Sequence, residues 1–167
     1  MGKNRDESVR GGPPLRGESL KQAWADWLGH LPWQLFVTLT FDPKIVFPVT
    51  AVHASKEAFW WCGQTARLLR SPVGWLYAVE RGRSGQWHAH ALLIGTRRQL
   101  GCGPEAIWRQ RNGIIDVRPV YDAARVVLYT TKEAARTGEI VLSDTMRRYL
   151  PVTRPHVVVA LHPTEAT

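Results

Sequence analysis

Two strand-like runs, WLYAVE at residues 75–80 and WHAHALLI at 87–94, flank the segment Arg81-Gly82-Arg83-Ser84-Gly85-Gln86. A glycine-containing link this short turns the chain back on itself. The spacing therefore predicts a β-hairpin, and with it an antiparallel sheet. Centring the hairpin on Ser84 sets Glu80 opposite His88 and Ala78 opposite His90. Facing residues on paired strands hold their Cβ atoms about 5 Å apart. Side chains alternate between faces along a strand, so His88 and His90 share one face.

The remaining segments complete the pattern. QLFVTLTF (34–41) reads as a strand that turns Val37, Leu39 and Phe41 towards helices and Phe36, Thr38 and Thr40 to the other surface. GIIDVRPV (113–120) reads as another strand, and HVVVALH (156–162) as an edge strand in the tail. Ser19 is placed to cap a short helix carrying Leu20, Trp24, Trp27, Leu28 and Leu31 up to Pro32. A longer helix over 51–70 shows Val52, Ala58, Phe59, Cys62, Ala66 and Leu69 as its apolar face, and two more are expected near 104–111 and 122–136. The order β-α-β-β-α-β-α predicts an α+β domain, with an antiparallel sheet of ferredoxin-like or RRM-like type and helices packed on it. The domain is expected over 18–150. Residues 1–17, with Gly11-Gly12-Pro13-Pro14 among Lys3, Arg5, Arg10 and Arg16, form a flexible basic arm, and 151–167 form a tail.

Charge narrows the partners. Lysine and arginine number 22 against 14 aspartates and glutamates, and the pI is near 10.1, a balance that favours a polyanion through release of its counterions. No apolar run approaches the ~20 residues of a membrane span and the first residues lack a secretory apolar core, so a cytoplasmic location away from membranes is expected. Cys62 and Cys102 lack the spacing of a zinc knuckle or a disulfide framework and read as buried, reduced thiols. The GxxxxGK[ST] phosphate loop is absent, which excludes a helicase motor of that kind.

Two clusters carry chemistry. Glu80, taken alone, would pair with Arg81 or Arg83; with His88 and His90 facing it, the three form a ligand set. Such a set suits Mn²⁺ or Mg²⁺ with open water positions, and His₂Glu also serves catalytic zinc. On the helix over 122–136, Ala124, Val127, Leu128, Thr131 and Ala135 make one stripe and Arg125, Tyr129, Lys132 and Arg136 another. A phenol of pKa about 10 is a poor nucleophile until nearby positive charge favours the phenolate. Lys132, one turn on, can supply that charge or steady a phosphate in transfer. Phe36, Thr38 and Thr40 suit base stacking and phosphate contacts.

FVTLTF (36–41), HAH (88–90) and Tyr129-Thr130-Thr131-Lys132, in this order, resemble the three motifs of the HUH endonucleases, specifically the initiators of rolling-circle replication in plasmids, phages and single-stranded DNA viruses. Glu80 stands where viral members carry a third ligand. The resemblance runs from about Gln34 to Arg136. It implies a metal held by Glu80, His88 and His90 (Mn²⁺ or Mg²⁺ in preference to zinc), Tyr129 as nucleophile and Lys132 as its electrostatic partner. It further implies single-stranded DNA at an origin or hairpin as substrate, a 5′-phosphotyrosine intermediate, and a host helicase and polymerase as partners. Arg81, Arg83, Arg125 and Arg136, with Phe36, Thr38 and Thr40, are the expected DNA contacts. A single-tyrosine transposase or relaxase-like enzyme shares this chemistry, and an RRM-like module would bind the strand without cutting it.

Overall fold

The computed structural model describes residues 17–132 and 140–150, with side chains from residue 22 onward. The basic arm over 1–16, Arg136 and the strand expected over 156–162 lie outside the described residues.

Five strands form one antiparallel sheet: β1 (Leu35–Phe41), β2 (Gly74–Arg81), β3 (Trp87–Ile94), β4 (Gly113–Pro119) and β5 (Val141–Leu142). Their spatial order is β4-β1-β3-β2-β5. The first four are in the ferredoxin-like arrangement, and the short β5 extends the edge beside β2. Burial along β1 alternates strictly, with Leu35, Val37, Leu39 and Phe41 inside and Phe36, Thr38 and Thr40 half-buried. Strands β2 and β3 are instead buried almost throughout, because helices cover both of their faces.

On one face lie α2 (Ala51–Leu69) and α3 (Cys102–Arg111). Trp61 and Trp108 fill that core against Leu39, Phe41 and Ala89. Each indole finds an acceptor, Pro104 O at 2.9 Å for Trp61 Nε1 and Ile114 O at 2.9 Å for Trp108 Nε1, as a buried N–H requires. On the opposite face, α1 (Gly17–Leu28) and α4 (Ala123–Thr131) bring Trp24, Leu28 and Val127 against Leu76, Ala78, Leu92 and Ile94. A short 3-10 helix (Asp144–Arg148) seals this side with Met146.

Several local expectations shift. Ser19 lies within α1 and not at its cap. The inward side of α2 is Ala54, Glu57, Ala58, Trp61, Cys62 and Thr65, leaving Val52 66% exposed. A tryptophan buries far more area than a valine and turns the helix accordingly. Glu57 is tolerated inside because Arg111 donates to it at 2.6 and 2.9 Å and Asn112 at 2.9 Å. The Arg111 hydrogen bond leads in holding its carboxyl below the usual range, against the upward push of burial. Cys62 is buried, which pushes its thiol up, but Cys102 is exposed at the start of α3, contrary to the sequence reading. In α4 the buried residues are Val127, Thr130 and Thr131, whereas Ala124 and Leu128 face outward. The two threonine hydroxyls donate to Val126 O (2.8 Å) and Val127 O (2.9 Å), so they enter the interior already satisfied. Among the described residues no helix is long and apolar enough to cross a membrane.

Candidate metal centre and its tyrosine

The hairpin register pairs Glu80 with His88 and Ala78 with His90. On the other side of β3, Thr40 pairs with His88 and Thr38 with His90. Residues opposite one another share a face, so Thr40, His88 and Glu80 form one row across the sheet and Thr38, His90 and Ala78 the next. This is the face that α4 crosses.

Glu80 gathers the group. Its Oε1 lies 2.6 Å from His88 Nε2 and 3.0 Å from His90 Nε2, and its Oε2 accepts from Lys132 Nζ at 3.1 Å. Glu80 and His90 are buried, while His88 is half-buried. Burial works to raise the Glu80 pKa, but hydrogen bonds from His90, His88 and Lys132 outweigh it and hold the carboxyl below its ordinary value. Burial drives His90 the other way, down to about 4 against the opposing pull of Glu80. The ring is therefore neutral at neutral pH.

One donor atom from each of Glu80, His88 and His90 lies within 4.8 Å of the others, so the group can hold a metal ion. The chemistry of the set fits. Two imidazole nitrogens and a carboxylate oxygen converge, and the neutral state of His90 is the one a metal ligand needs. Thr38 Oγ1 lies 3.2 Å from His90 Nδ1. By accepting the Nδ1 proton, the hydroxyl would leave the Nε2 lone pair directed at the centre.

Lys132, at the C-cap of α4, reaches Glu80 from above the sheet. Burial lowers its pKa, but hydrogen bonding and Coulomb attraction to Glu80 more than offset this and raise it, so the amine is a cation. The same ammonium lies 3.9 Å from the centre of the Tyr129 ring, a cation–π geometry. The Tyr129 ring meets His90 at 5.1 Å and Phe36, edge on, at 5.8 Å; Phe36 in turn stacks on His90 at 5.3 Å. Tyr129 remains 46% exposed.

The other tyrosines are placed differently. Tyr77 is buried on the α2 side, donating to Ser55 O, and Tyr149 donates to Pro72 O at 2.8 Å. Tyr121 is exposed just before the α4 cap, Asp122.

The sequence-expected DNA contacts divide. Phe36 stacks on His90 and Thr38 Oγ1 faces its Nδ1, so both side chains are engaged with that ring. Thr40 lies half-buried beside His88 in the sheet. Arg81 and Arg83 are exposed on the hairpin, Arg81 with its Nε donating to Gly85 O at 2.9 Å. Arg125 is exposed on α4.

Two contacts were not legible in sequence, Glu80 with Lys132 and Thr38 with His90, because each joins residues distant in the chain. The site face also continues onto β4, where Ile114, Asp116 and Arg118 sit opposite Thr40, Thr38 and Phe36 and are all exposed. Alternation within GIIDVRPV was the available signal for these. The chain matches no protein-family model, no curated protein and no solved structure.

Proposed function

We propose that this chain is a single-tyrosine HUH endonuclease that nicks single-stranded DNA at an origin or hairpin and starts rolling-circle replication. One observation carries the reading. A single helix, α4, sets a tyrosine ring 5.1 Å from His90 and a lysine 3.1 Å from Glu80, over a three-residue ligand group. A solvated surface helix has no need of that convergence. The net charge of +8 suits the polyanionic substrate.

Glu80, His88 and His90 would hold a Mn²⁺ or Mg²⁺ ion, in preference to zinc, and such an ion would supply Lewis-acid polarisation of the scissile phosphate. The chain's own residues do the rest. Tyr129 Oη attacks phosphorus as its phenolic proton passes to solvent, which its partial exposure permits. The bond from phosphorus to the 3′-oxygen breaks, its electron pair stays on that oxygen, and a proton from solvent completes the 3′-hydroxyl. Lys132 is already a cation and so acts by charge, not as a base. The free 3′-hydroxyl would prime a host polymerase, with a host helicase unwinding the duplex.

A strand-binding RRM-like role fares worse. Such modules stack bases on open sheet aromatics, whereas here α1 and α4 cover much of the sheet and Phe36 is packed among His90 and Tyr129. The deciding experiment incubates the protein and Mn²⁺ with oligonucleotides tiled across its own replicon, each labelled on the 3′ side, and resolves them under denaturing conditions. One strand is expected to migrate with the protein. Tight binding of strands with no adduct on any of them would identify a binder.

Thr38→Val keeps the side-chain shape and deletes the hydroxyl facing His90 Nδ1. It is expected to weaken Mn²⁺ binding about tenfold, the usual cost of losing a partner that orients a ligand. Titration followed by electron paramagnetic resonance reads this directly, and an unchanged affinity would make Thr38 a packing residue only.

A further inference from the structure

The two oxygens of Glu80 are divided between different partners. Oε1 faces both histidine Nε2 atoms, at 2.6 and 3.0 Å, and Oε2 faces the Lys132 ammonium at 3.1 Å. A metal seated among the three donors would take the Oε1 side and leave Lys132 on Oε2. We propose that Lys132 is a positioning residue that sets the affinity of this centre for its metal and holds it low. This rests on the reading of Glu80, His88 and His90 as ligands.

The carboxylate is the one anionic donor in the group, and its charge is cancelled by the ammonium beside it. A dication entering the group therefore meets an anionic donor whose charge is already offset, and a fixed positive charge lies one carboxylate away. At an effective dielectric constant near 20, like charges at such separations repel by a few kcal/mol before screening. Lys132 is only about a third exposed, so salt screens it incompletely. The consequence is an exchangeable metal that stays weakly held. Lys132 also ties that centre to the helix bearing Tyr129, over whose ring its nitrogen sits at 3.9 Å. Metal loading and the position of the tyrosine share this one side chain.

Glu80 does not depend on Lys132 for its direction. It is paired with His88 across the β2–β3 hairpin, is buried, and has both histidines against it. Neutralising the lysine should therefore remove repulsion without releasing the ligand. Lys132→Met, which keeps the stem, is expected to bind Mn²⁺ about tenfold more tightly than wild type, while Lys132→Arg retains the wild-type affinity. Cleavage by Lys132→Met should nonetheless be slower, because the charge over the reacting phosphate is gone. Tighter metal with slower chemistry is a pairing that damage to the fold cannot produce.

The test measures Mn²⁺ affinity by electron paramagnetic resonance and by calorimetry on full-length wild type, Lys132→Met, Lys132→Gln and Lys132→Arg, with circular dichroism to confirm folding. Gln gives a second neutral side chain should Met fold poorly. Unchanged or weaker binding in the folded neutral variants would overturn the role given to Lys132 while leaving the metal centre standing. Absence of Mn²⁺ binding in wild type and variants alike would instead remove the ligand assignment, and this inference with it.

Discussion

Tyr129→Phe is expected to abolish covalent capture of DNA while leaving the fold and the affinity for single strands in place. The substitution deletes only the hydroxyl. The ring keeps its contacts with His90, Phe36 and Lys132, and at a position 46% exposed the cost in stability should stay within about 0.5 kcal/mol. Loss of a nucleophile that acts as part of a unit lowers rates by roughly 10³-fold or more, so the adduct should disappear from a denaturing gel. Under the proposed mechanism the wild-type protein should also join its captured 5′ end to an added strand with a free 3′-hydroxyl, without ATP, because an aryl phosphodiester would conserve the energy of the broken bond. A label retained by the mutant would assign the chemistry to another residue. Tyr121 is then the first to test by peptide mapping, since Tyr149 is tied to Pro72 and Tyr77 is buried.

The second large effect concerns the metal. Cleavage should stop in EDTA and return with Mn²⁺ or Mg²⁺. His88→Ala should lower it by more than about a hundredfold with little change in strand binding, which rests on dispersed cations. His88 is the cleaner choice of the two histidines. Its ring is half-buried, whereas His90 is buried between Phe36 and the Thr38 hydroxyl, so His90→Ala would also open a cavity and orphan a hydroxyl. Undiminished nicking in EDTA would remove the metal from the mechanism, and wild-type rates in His88→Ala would leave that histidine a structural role.

What the chain's order alone determined is the part governed by short-range rules. Alternation and a brief turn placed Glu80 opposite His88 and Ala78 opposite His90, and the structure has that register. A period of two put Phe36, Thr38 and Thr40 on one side of β1. The antiparallel α+β class followed from the same local signals, since strand and helix periodicities are properties of neighbouring residues. Helix faces were less legible. On α4 the expected stripe holds at Val127 and Thr131 but not at Ala124 and Leu128, which are exposed, while Thr130 turns inward with its hydroxyl hidden by a bond to Val126 O, which hydrophobicity along the sequence does not record. Tertiary structure alone decided that β1 lies beside β3, which gives His90 its partner Thr38, and that α4 crosses the same face, which gives Glu80 its partner Lys132. Those contacts join residues far apart in the chain, and their geometry comes from non-local strand pairing in one case and from packing α4 on the sheet in the other. Residue types announce candidate ligands and a tyrosine, but only burial of the sheet's two faces brings them within reach of each other.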